Sequence, residues 1–169
     1  FGELGSVNPV FVTAAAVAER ADELASGLAT SVSGSAGQLC TKPGFVFLPE
    51  GHGLDAAIAA SAAEVAEHRM LGPRIASGFA ARRDEILAAD GVRVIADGGI
   101  RFDDDAQGWV TATVVAVSLD DFRRHHDALI EEAFGPLTII VETPAGTDLA
   151  ALLPEFFAGN PTGTVHPSA

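Results

Sequence analysis

Cysteine is almost absent from this sequence, because Cys40 is the only one among 169 residues. A single cysteine cannot form a disulfide within the chain, so the fold cannot depend on an internal disulfide. This usage agrees with a reducing compartment, and it leaves the thiol free for chemistry. We therefore expect a cytoplasmic protein.

Basic residues are also scarce. The chain has 10 lysines and arginines against 23 aspartates and glutamates, a net charge of −13, and its basic residues cluster only in "ARRDE" and "FRRHH". Binding to a phosphate backbone requires a positive surface. The composition therefore argues against nucleic acid as a partner.

Long uninterrupted apolar runs are missing, and so is a cationic, cleavable leader. The sequence therefore predicts neither a membrane-spanning helix nor a signal peptide. What the chain does have is 48% hydrophobic residues, enough for one compact domain with a sizeable core. It begins at Phe1 in a stretch already dense in glycine and apolar residues, so we expect residues 1–169 to be a piece of a larger protein.

The order of the apolar and helical patterns predicts an α/β fold. A buried strand over 8–13 leads into a helix over 14–32, and the run Phe45–Leu48 is continuous, as in strands covered on both faces of a parallel sheet. We expect a mostly parallel, open twisted sheet with helices on both faces. The remaining predicted helices are 55–69, 74–89, 120–132 and 147–159, and the remaining strands are 90–97, 109–118, 137–142 and 162–166.

Cys40 lies in the loop "GQLCTKPG" between the first helix and the second strand. A thiol becomes a nucleophile when its thiolate is favoured or a base is near, and Gly37 and Gly44 would make the loop flexible enough for backbone N–H groups to approach its target. The alternative is a buried small hydrophobe, since free cysteine is among the most buried residue types. The neighbouring Lys42 either assists an anionic substrate or is an ordinary surface lysine.

Two glutamates are further candidates. Glu3, in "GELGS", is enclosed by glycines and a leucine, a setting that suits a general base, although an ordinary solvated glutamate would look the same. Glu132, in "EEAFGPL", either hydrogen-bonds a ligand hydroxyl at the sheet edge or is solvated. Neither residue is assigned on its own.

No metal site is predicted. The histidines have no ligand-like spacing, and neighbours such as His125 and His126 point apart on a helix, so we expect them to face solvent or to cap helices. We expect Asp103–Asp105 to form a surface loop, because no second ligand group lies at a telling spacing.

Three segments, in this order, resemble motifs of the aldehyde dehydrogenase superfamily. "FGELGSVNP" is similar to the glutamate motif, "GQLCTKPG" to the cysteine motif and "EEAFGPL" to the nicotinamide-ribose motif. The Ser-Val-Asn-Pro variant of the first motif, together with "FFAGNPTGTVH", resembles the α-ketoglutaric semialdehyde (2,5-dioxovalerate) dehydrogenase branch. The resemblance covers essentially the whole chain and implies the Rossmann-like fold of the family's catalytic domain.

The resemblance implies that Cys40 and Glu3 are catalytic. Cys40 would attack the aldehyde carbonyl, and its main-chain N–H would donate to the developing oxyanion. Glu3 would activate the water that hydrolyses the resulting thioester. Asn8 belongs to the same motif as Glu3, and we expect it to shape a turn beside Pro9.

The cofactor implied is NADP or NAD, bound by Glu132, Phe134 and Gly5. Glu132 would hold the nicotinamide-ribose hydroxyls, with Phe134 beside the ring. The family binds most of the cofactor in a dinucleotide-binding domain, and the resemblance implies that this domain is absent from residues 1–169. We therefore expect a catalytic-domain fragment that is inactive alone, from a homo-oligomeric parent that oxidises a small aldehyde.

Two other interpretations stay open. A coenzyme A-acylating relative would keep the fold and the thiol but would not need Glu3 as a hydrolytic base. A non-catalytic α/β interaction module would have a thiol without a catalytic role. The joint presence of Glu3, Cys40 and Glu132 argues against this interpretation.

Overall fold

A computed structural model of the chain describes residues 7–157 and 163–167. These residues form one six-stranded sheet, a second sheet of three short strands, and helices that pack around them. Within these two ranges no helix has the length and apolar character needed to cross a bilayer.

The strands and helices have the following bounds. The strands are β1 (Asn8–Val12), β2 (Pro43–Pro49), β3 (His68–Arg69), β4 (Arg93–Ala96), β5 (Gly99–Phe102), β6 (Gly108–Thr111), β7 (Thr113–Ser118), β8 (Leu137–Thr143) and β9 (Thr164–His166). The helices are α1 (Ala14–Ser33), α2 (Asp55–Glu64), α3 (Pro73–Leu87), α4 (Leu119–Arg124), α5 (His126–Leu129) and α6 (Leu149–Phe156), and a 3-10 helix covers Gly34–Gly37.

β2 lies inside the six-stranded sheet, whose order is β4-β7-β8-β2-β1-β9. It pairs in parallel with β1 on one side and β8 on the other, β7 is parallel to β8, and β9 is parallel to β1. β4, at one edge, is antiparallel to β7. Residues 43–48 of β2 are all buried. The mostly parallel α/β sheet and the strand covered on both faces are therefore confirmed.

Alternate side chains of β2 enter two separate cores. The rings of Phe45 and Phe47 lie 5.2 and 6.2 Å from the ring of Phe122 in α4. On the opposite face, Val46 packs in a cluster with Ile58 of α2 and with residues of α1. Helices therefore cover both faces of the sheet, as predicted.

The helix predicted over 55–69 is wrong in its last third. α2 ends at Glu64, Val65 is extended, and His68 and Arg69 form β3, which pairs antiparallel with β6. The local pattern is helical, but isolated helical turns are marginal, and pairing in the second sheet overrides it.

The single strand predicted over 109–118 is two strands in different sheets. β6 lies between β3 and β5 in the small antiparallel sheet, and β7 joins the large sheet after a break at Ala112. Thr113 Oγ1 donates to the carbonyl oxygen of Asp97 at 3.0 Å and accepts from Arg83 Nε at 3.1 Å. These contacts fix where the chain changes sheets. β5 is not predicted by the sequence pattern.

The helix predicted over 120–132 is two short helices, α4 and α5, followed by an irregular segment that carries Glu132. The guanidinium of Arg82, in α3, donates to two carbonyl oxygens in the last turn of α5, where helical carbonyl groups lack partners within the helix, and to one just beyond it. These are the oxygens of Ala128 (2.7 Å), Leu129 (3.2 Å) and Glu131 (3.0 Å). Arg82 therefore stabilises the point at which the chain leaves the helix.

Replacing Phe47 with alanine should lower the free energy of unfolding by about 3–5 kcal/mol. Its ring is 0% exposed and lies 4.7 Å from Phe11 and 5.7 Å from Phe157, so the truncation leaves a cavity between both rings. Phe102→Ala is the control, because that side chain is 45% exposed, and it should cost less than about 1 kcal/mol. Urea unfolding measures both variants, and equal losses would contradict the position of Phe47 in the core.

Candidate active site

Cys40 lies at the tip of a tight turn just before β2. The N–H of Lys42 donates to the carbonyl oxygen of Leu39 at 3.0 Å, which leaves Cys40 and Thr41 as the two central residues of the turn. Both are exposed. Cys40 is therefore not buried, and the interpretation of Cys40 as a buried hydrophobe is wrong.

The chain between α1 and this turn adopts an unusual backbone conformation. Ser35, Ala36 and Gly37 follow one another with φ of 51°, 55° and 66°. A residue with a side chain costs about 1–2 kcal/mol in this left-handed region. Ala36 is 1% exposed, so packing in the core stabilises the conformation. The backbone of residues 35–37, which leads into the Cys40 turn, is therefore held in one conformation.

Gly37 and Gly44 allow other parts of the chain to pack closely against them. The sequence instead suggested that they make the loop flexible. A Cβ on Gly37 would lie 2.3 Å from the carbonyl carbon of Gly135, and a Cβ on Gly44 would lie 3.2 Å from Cα of Val7. The first contact brings the cysteine loop against the segment that precedes β8. The second brings the start of β2 against the chain that enters β1.

Asn8 is part of β1 and does not shape a turn beside Pro9, as the sequence suggested. Its side chain is 2% exposed, and Nδ2 donates to the carbonyl oxygens of Cys40 at 2.7 Å and Lys42 at 3.0 Å. One amide group thus holds both ends of the Cys40–Lys42 stretch. The orientation of the peptide group between Cys40 and Thr41 is therefore set by a side chain of β1.

Lys42 is neither a surface lysine nor placed to meet a substrate. The residue is 3% exposed, and its Nζ donates to the carbonyl oxygens of Leu137 at 2.8 Å and Ala133 at 3.2 Å. Burial lowers the pKa of Lys42 from 10.5 to about 8, and the negative charge of Glu132 acts in the opposite direction. Both sequence-based interpretations of Lys42 are therefore wrong.

Glu132 and Phe134 lie on the irregular segment between α5 and β8, and both are half-buried. Arg82 binds the carbonyl oxygen of Glu131 within this segment, and Lys42 binds the carbonyl oxygens of Ala133 within it and of Leu137 at the start of β8. Gly135 is buried under the ring of Phe79, because a Cβ there would lie 2.3 Å from a ring carbon. The segment is thus fixed at several points, and one of them is the lysine two residues after Cys40.

Glu3 and Gly5 lie outside the described residues. Their predicted roles therefore remain predictions.

Residues 7–157 and 163–167 hold no group of three or more His, Cys, Asp or Glu side chains suited to a metal ion. His52 has a capping role of the kind expected, since its Nδ1 accepts the N–H of Leu54 at 3.0 Å at the start of α2. His126 instead packs against the ring of Phe122 at 5.6 Å. Asp103–Asp105 is exposed, as predicted.

Sequence reasoning missed two residues that support this site, Arg82 and Gln38. Gln38 accepts the N–H of Leu71 at 2.9 Å and donates to the carbonyl oxygen of Ser35 at 3.1 Å, which ties the cysteine loop to the chain after β3. The Gln38–Leu71 contact spans 33 positions, and the contact of Arg82 with Glu131 spans 49. No local pattern marks such distant partners. A signal did exist for Lys42, which is the only lysine of the chain.

A family model described as "Aldehyde dehydrogenase family" matches residues 2–152. The chain belongs to the aldehyde dehydrogenase family. The resemblance inferred from the glutamate, cysteine and nicotinamide-ribose motifs is thereby confirmed.

Over its whole length, this aldehyde dehydrogenase chain is 31% identical to α-ketoglutaric semialdehyde dehydrogenase 2 of Azospirillum brasilense. The chain covers 32% of that protein, so it spans about a third of this curated relative. The similarity to the α-ketoglutaric semialdehyde dehydrogenase branch, inferred from the motifs, agrees with this relative.

Solved structures of aldehyde dehydrogenases share the fold. The chain is similar to the Δ-pyrroline-5-carboxylate dehydrogenase of Mycobacterium tuberculosis, with a TM-score of 0.76, 22% identity, and coverage of 99% of this chain and 32% of that one. The 1-pyrroline-5-carboxylate dehydrogenase of Thermus thermophilus gives a TM-score of 0.74 at 19% identity with the same coverages. At these identities the likeness concerns the fold alone.

Gly37→Ala should destabilise the chain by at least about 2 kcal/mol, because the added methyl group meets the backbone of Gly135 and φ is +66°. The matched control is Gly27→Ala in α1, where no atom lies within 4 Å of the new Cβ. That variant should stabilise the chain by about 0.5–1 kcal/mol, since alanine is the better helix former. Urea unfolding measures both changes. Equal effects would contradict the close contact between the loop and Gly135.

Proposed function

We propose that this chain is the thiol-bearing part of a longer NAD(P)-dependent aldehyde dehydrogenase, which oxidises a semialdehyde to its carboxylate. The observation that carries the proposal is an exposed Cys40 on a turn that Lys42 joins to the segment of Glu132. The 31% identity to the Azospirillum brasilense enzyme supports α-ketoglutaric semialdehyde, or a related acidic semialdehyde, as the substrate.

Cys40 is the proposed nucleophile. Glu3 accepts the proton of its thiol, and the sulfur bonds to the aldehyde carbon to give the oxyanion of a thiohemiacetal. Loss of hydride from that carbon leaves a thioester on Cys40. The main-chain N–H of Cys40 donates to the oxygen that carries the developing negative charge. Asn8 holds the peptide group on the other side of the Cys40 Cα, because its amide donates to the carbonyl oxygen of Cys40.

Glu3 is the proposed base for hydrolysis. It accepts a proton from a water molecule, whose oxygen attacks the thioester carbon. The carbon–sulfur bond then breaks, which releases the carboxylic acid, and the proton held by Glu3 returns to the sulfur to restore the thiol. This role is carried over from the glutamate motif.

Glu132, Phe134 and Gly5 are the residues proposed to hold the nicotinamide end of the cofactor. NAD(P)+, when bound, accepts the hydride lost from the thiohemiacetal. A half-buried carboxylate and an aromatic ring two positions apart suit ribose hydroxyls and a nicotinamide ring. We propose that the rest of the cofactor is bound by a dinucleotide-binding domain elsewhere in the longer, homo-oligomeric protein, so that this chain alone is inactive.

A substrate screen of the longer protein tests the proposal. Semialdehydes are offered with NAD+ or NADP+, and NAD(P)H absorbance is measured. We expect turnover with acidic semialdehydes and none from the isolated chain. Turnover that requires coenzyme A would favour the acylating alternative, and no turnover with any aldehyde would favour a non-catalytic module.

Cys40→Ala in the longer protein should abolish turnover, because no other thiol is available in this chain to form the thioester. Thr41→Ala is the matched control, since Thr41 is the exposed neighbour in the same turn, and it should retain activity within about threefold. NAD(P)H absorbance under steady-state conditions measures both. Full activity in Cys40→Ala would overturn the assignment of the nucleophile.

Glu3→Gln should slow hydrolysis by about 10²–10⁴-fold, the usual contribution of a general base. The acyl group should then remain on Cys40, and mass spectrometry of the intact protein after one turnover measures it. Hydrolysis at the wild-type rate, with no acylated protein, would show that another group activates the water.

A further inference from the structure

Burying the ammonium of Lys42 costs desolvation free energy, and filling the space does not require a charged group. Moving an ammonium out of water costs several kcal/mol, whereas a methionine fills a similar space without that cost. The residue is nevertheless 3% exposed in the core beneath the cysteine loop. What the ammonium adds over an apolar side chain is a charge and N–H groups of fixed direction.

Both hydrogen bonds of the Lys42 ammonium go to residues 131–137, which include Glu132 and Phe134. Their acceptors are the carbonyl oxygens of Ala133 at 3.2 Å and Leu137 at 2.8 Å, on either side of Phe134. Hydrogen bonds from a charged donor are about twice as strong as neutral ones. The ammonium therefore anchors this segment at two points.

The main chain of Lys42 is held by a different element, the strand β1. Asn8 Nδ2 donates to the carbonyl oxygens of Cys40 and Lys42, so β1 fixes the turn while the lysine side chain fixes the segment. The backbones of Gly37 and Gly135 meet in a second close contact between the same two parts. The turn and the segment are thus connected at independent places.

The charges around Lys42 favour the same arrangement. A small cavity of about 10 Å³ lies beside it, and the charged side chains among its described lining residues, besides Lys42, are Glu131 and Glu132. Glu132 acts on Lys42 through its negative charge. The rest of the described lining is apolar or glycine.

We propose that Lys42 is a positioning residue, whose ammonium holds the cofactor-binding segment 131–137 against the Cys40 turn. Glu132 then meets the ribose hydroxyls at a fixed distance from the thiol. The inference rests on the function proposed above for Cys40 and Glu132. Lys42 touches neither aldehyde nor cofactor and acts through these two residues.

Lys42→Met in the longer protein tests this role, with Arg74→Met as the control that removes an exposed positive charge. Lys42→Met should raise the KM for NAD(P)+ about tenfold, the size expected for the loss of a charged hydrogen bond, and leave the KM for the aldehyde within about twofold. A merely structural role would reduce the amount of active enzyme and change neither KM. An unchanged cofactor KM overturns the proposal.

The pH profile provides a second readout. The KM of the wild type for NAD(P)+ should rise as the pH passes about 8, where Lys42 loses its charge, and the Lys42→Met variant should lack this step. The free energy of unfolding should also depend on pH through Lys42. Between pH 8 and 10.5 the unfolded chain binds a proton that the folded chain does not, so the wild type gains stability relative to Lys42→Met as the pH rises. Parallel pH profiles of the two proteins contradict the proposal.

Amide hydrogen exchange in the chain itself separates this inference from the proposed activity. Even if the longer protein oxidises no aldehyde, Lys42→Met should accelerate exchange over 131–137 at least about tenfold more than Arg74→Met does. Equal exchange overturns the positioning role. If the variant fails to fold, NMR of the wild-type chain decides: nuclear Overhauser contacts between the side chain of the single lysine and residues 133–137 support the proposal, and their absence overturns it.

Discussion

The burial of β2 on both faces is the constraint on which the rest of the structure depends. Because residues 43–48 are all buried, alternate side chains must be covered from both sides, and helices pack on each face of the sheet. Where the chain enters this strand, burial ends, and the exposed turn before β2 carries Cys40. The strand thus determines both the layers of the fold and the position of the thiol.

Most of the large sheet could be predicted from local patterns. The continuous apolar run of β2 and the 3.6-residue period of α1 each identify an element without reference to the rest of the chain. The errors lie where partners distant in sequence decide. β6 and β7 read as one strand, because the contact of Thr113 with Asp97 that divides them joins residues 16 positions apart.

The candidate site shows the same division. Motifs identified Cys40 and Glu132 as candidates, since a motif is local by definition. The roles predicted for the side chains that hold these residues in place were wrong. Asn8 binds a main-chain oxygen 34 positions away, and Lys42 binds main-chain oxygens 91 and 95 positions away. A carbonyl group has no identity in the sequence, so only the folded chain reveals such contacts.

The burial of Lys42 also affects how the chain responds to reactive carbonyl compounds. An unprotonated amine condenses with an aldehyde to an imine, and an amine with a pKa of about 8 is unprotonated far more often at neutral pH than an ordinary lysine. Here the only lysine side chain is 3% exposed, and the nine other basic side chains are guanidinium groups, which are far weaker nucleophiles. Among these two neighbours, Cys40 is therefore exposed, whereas the amine of Lys42 is shielded from carbonyl compounds by its burial.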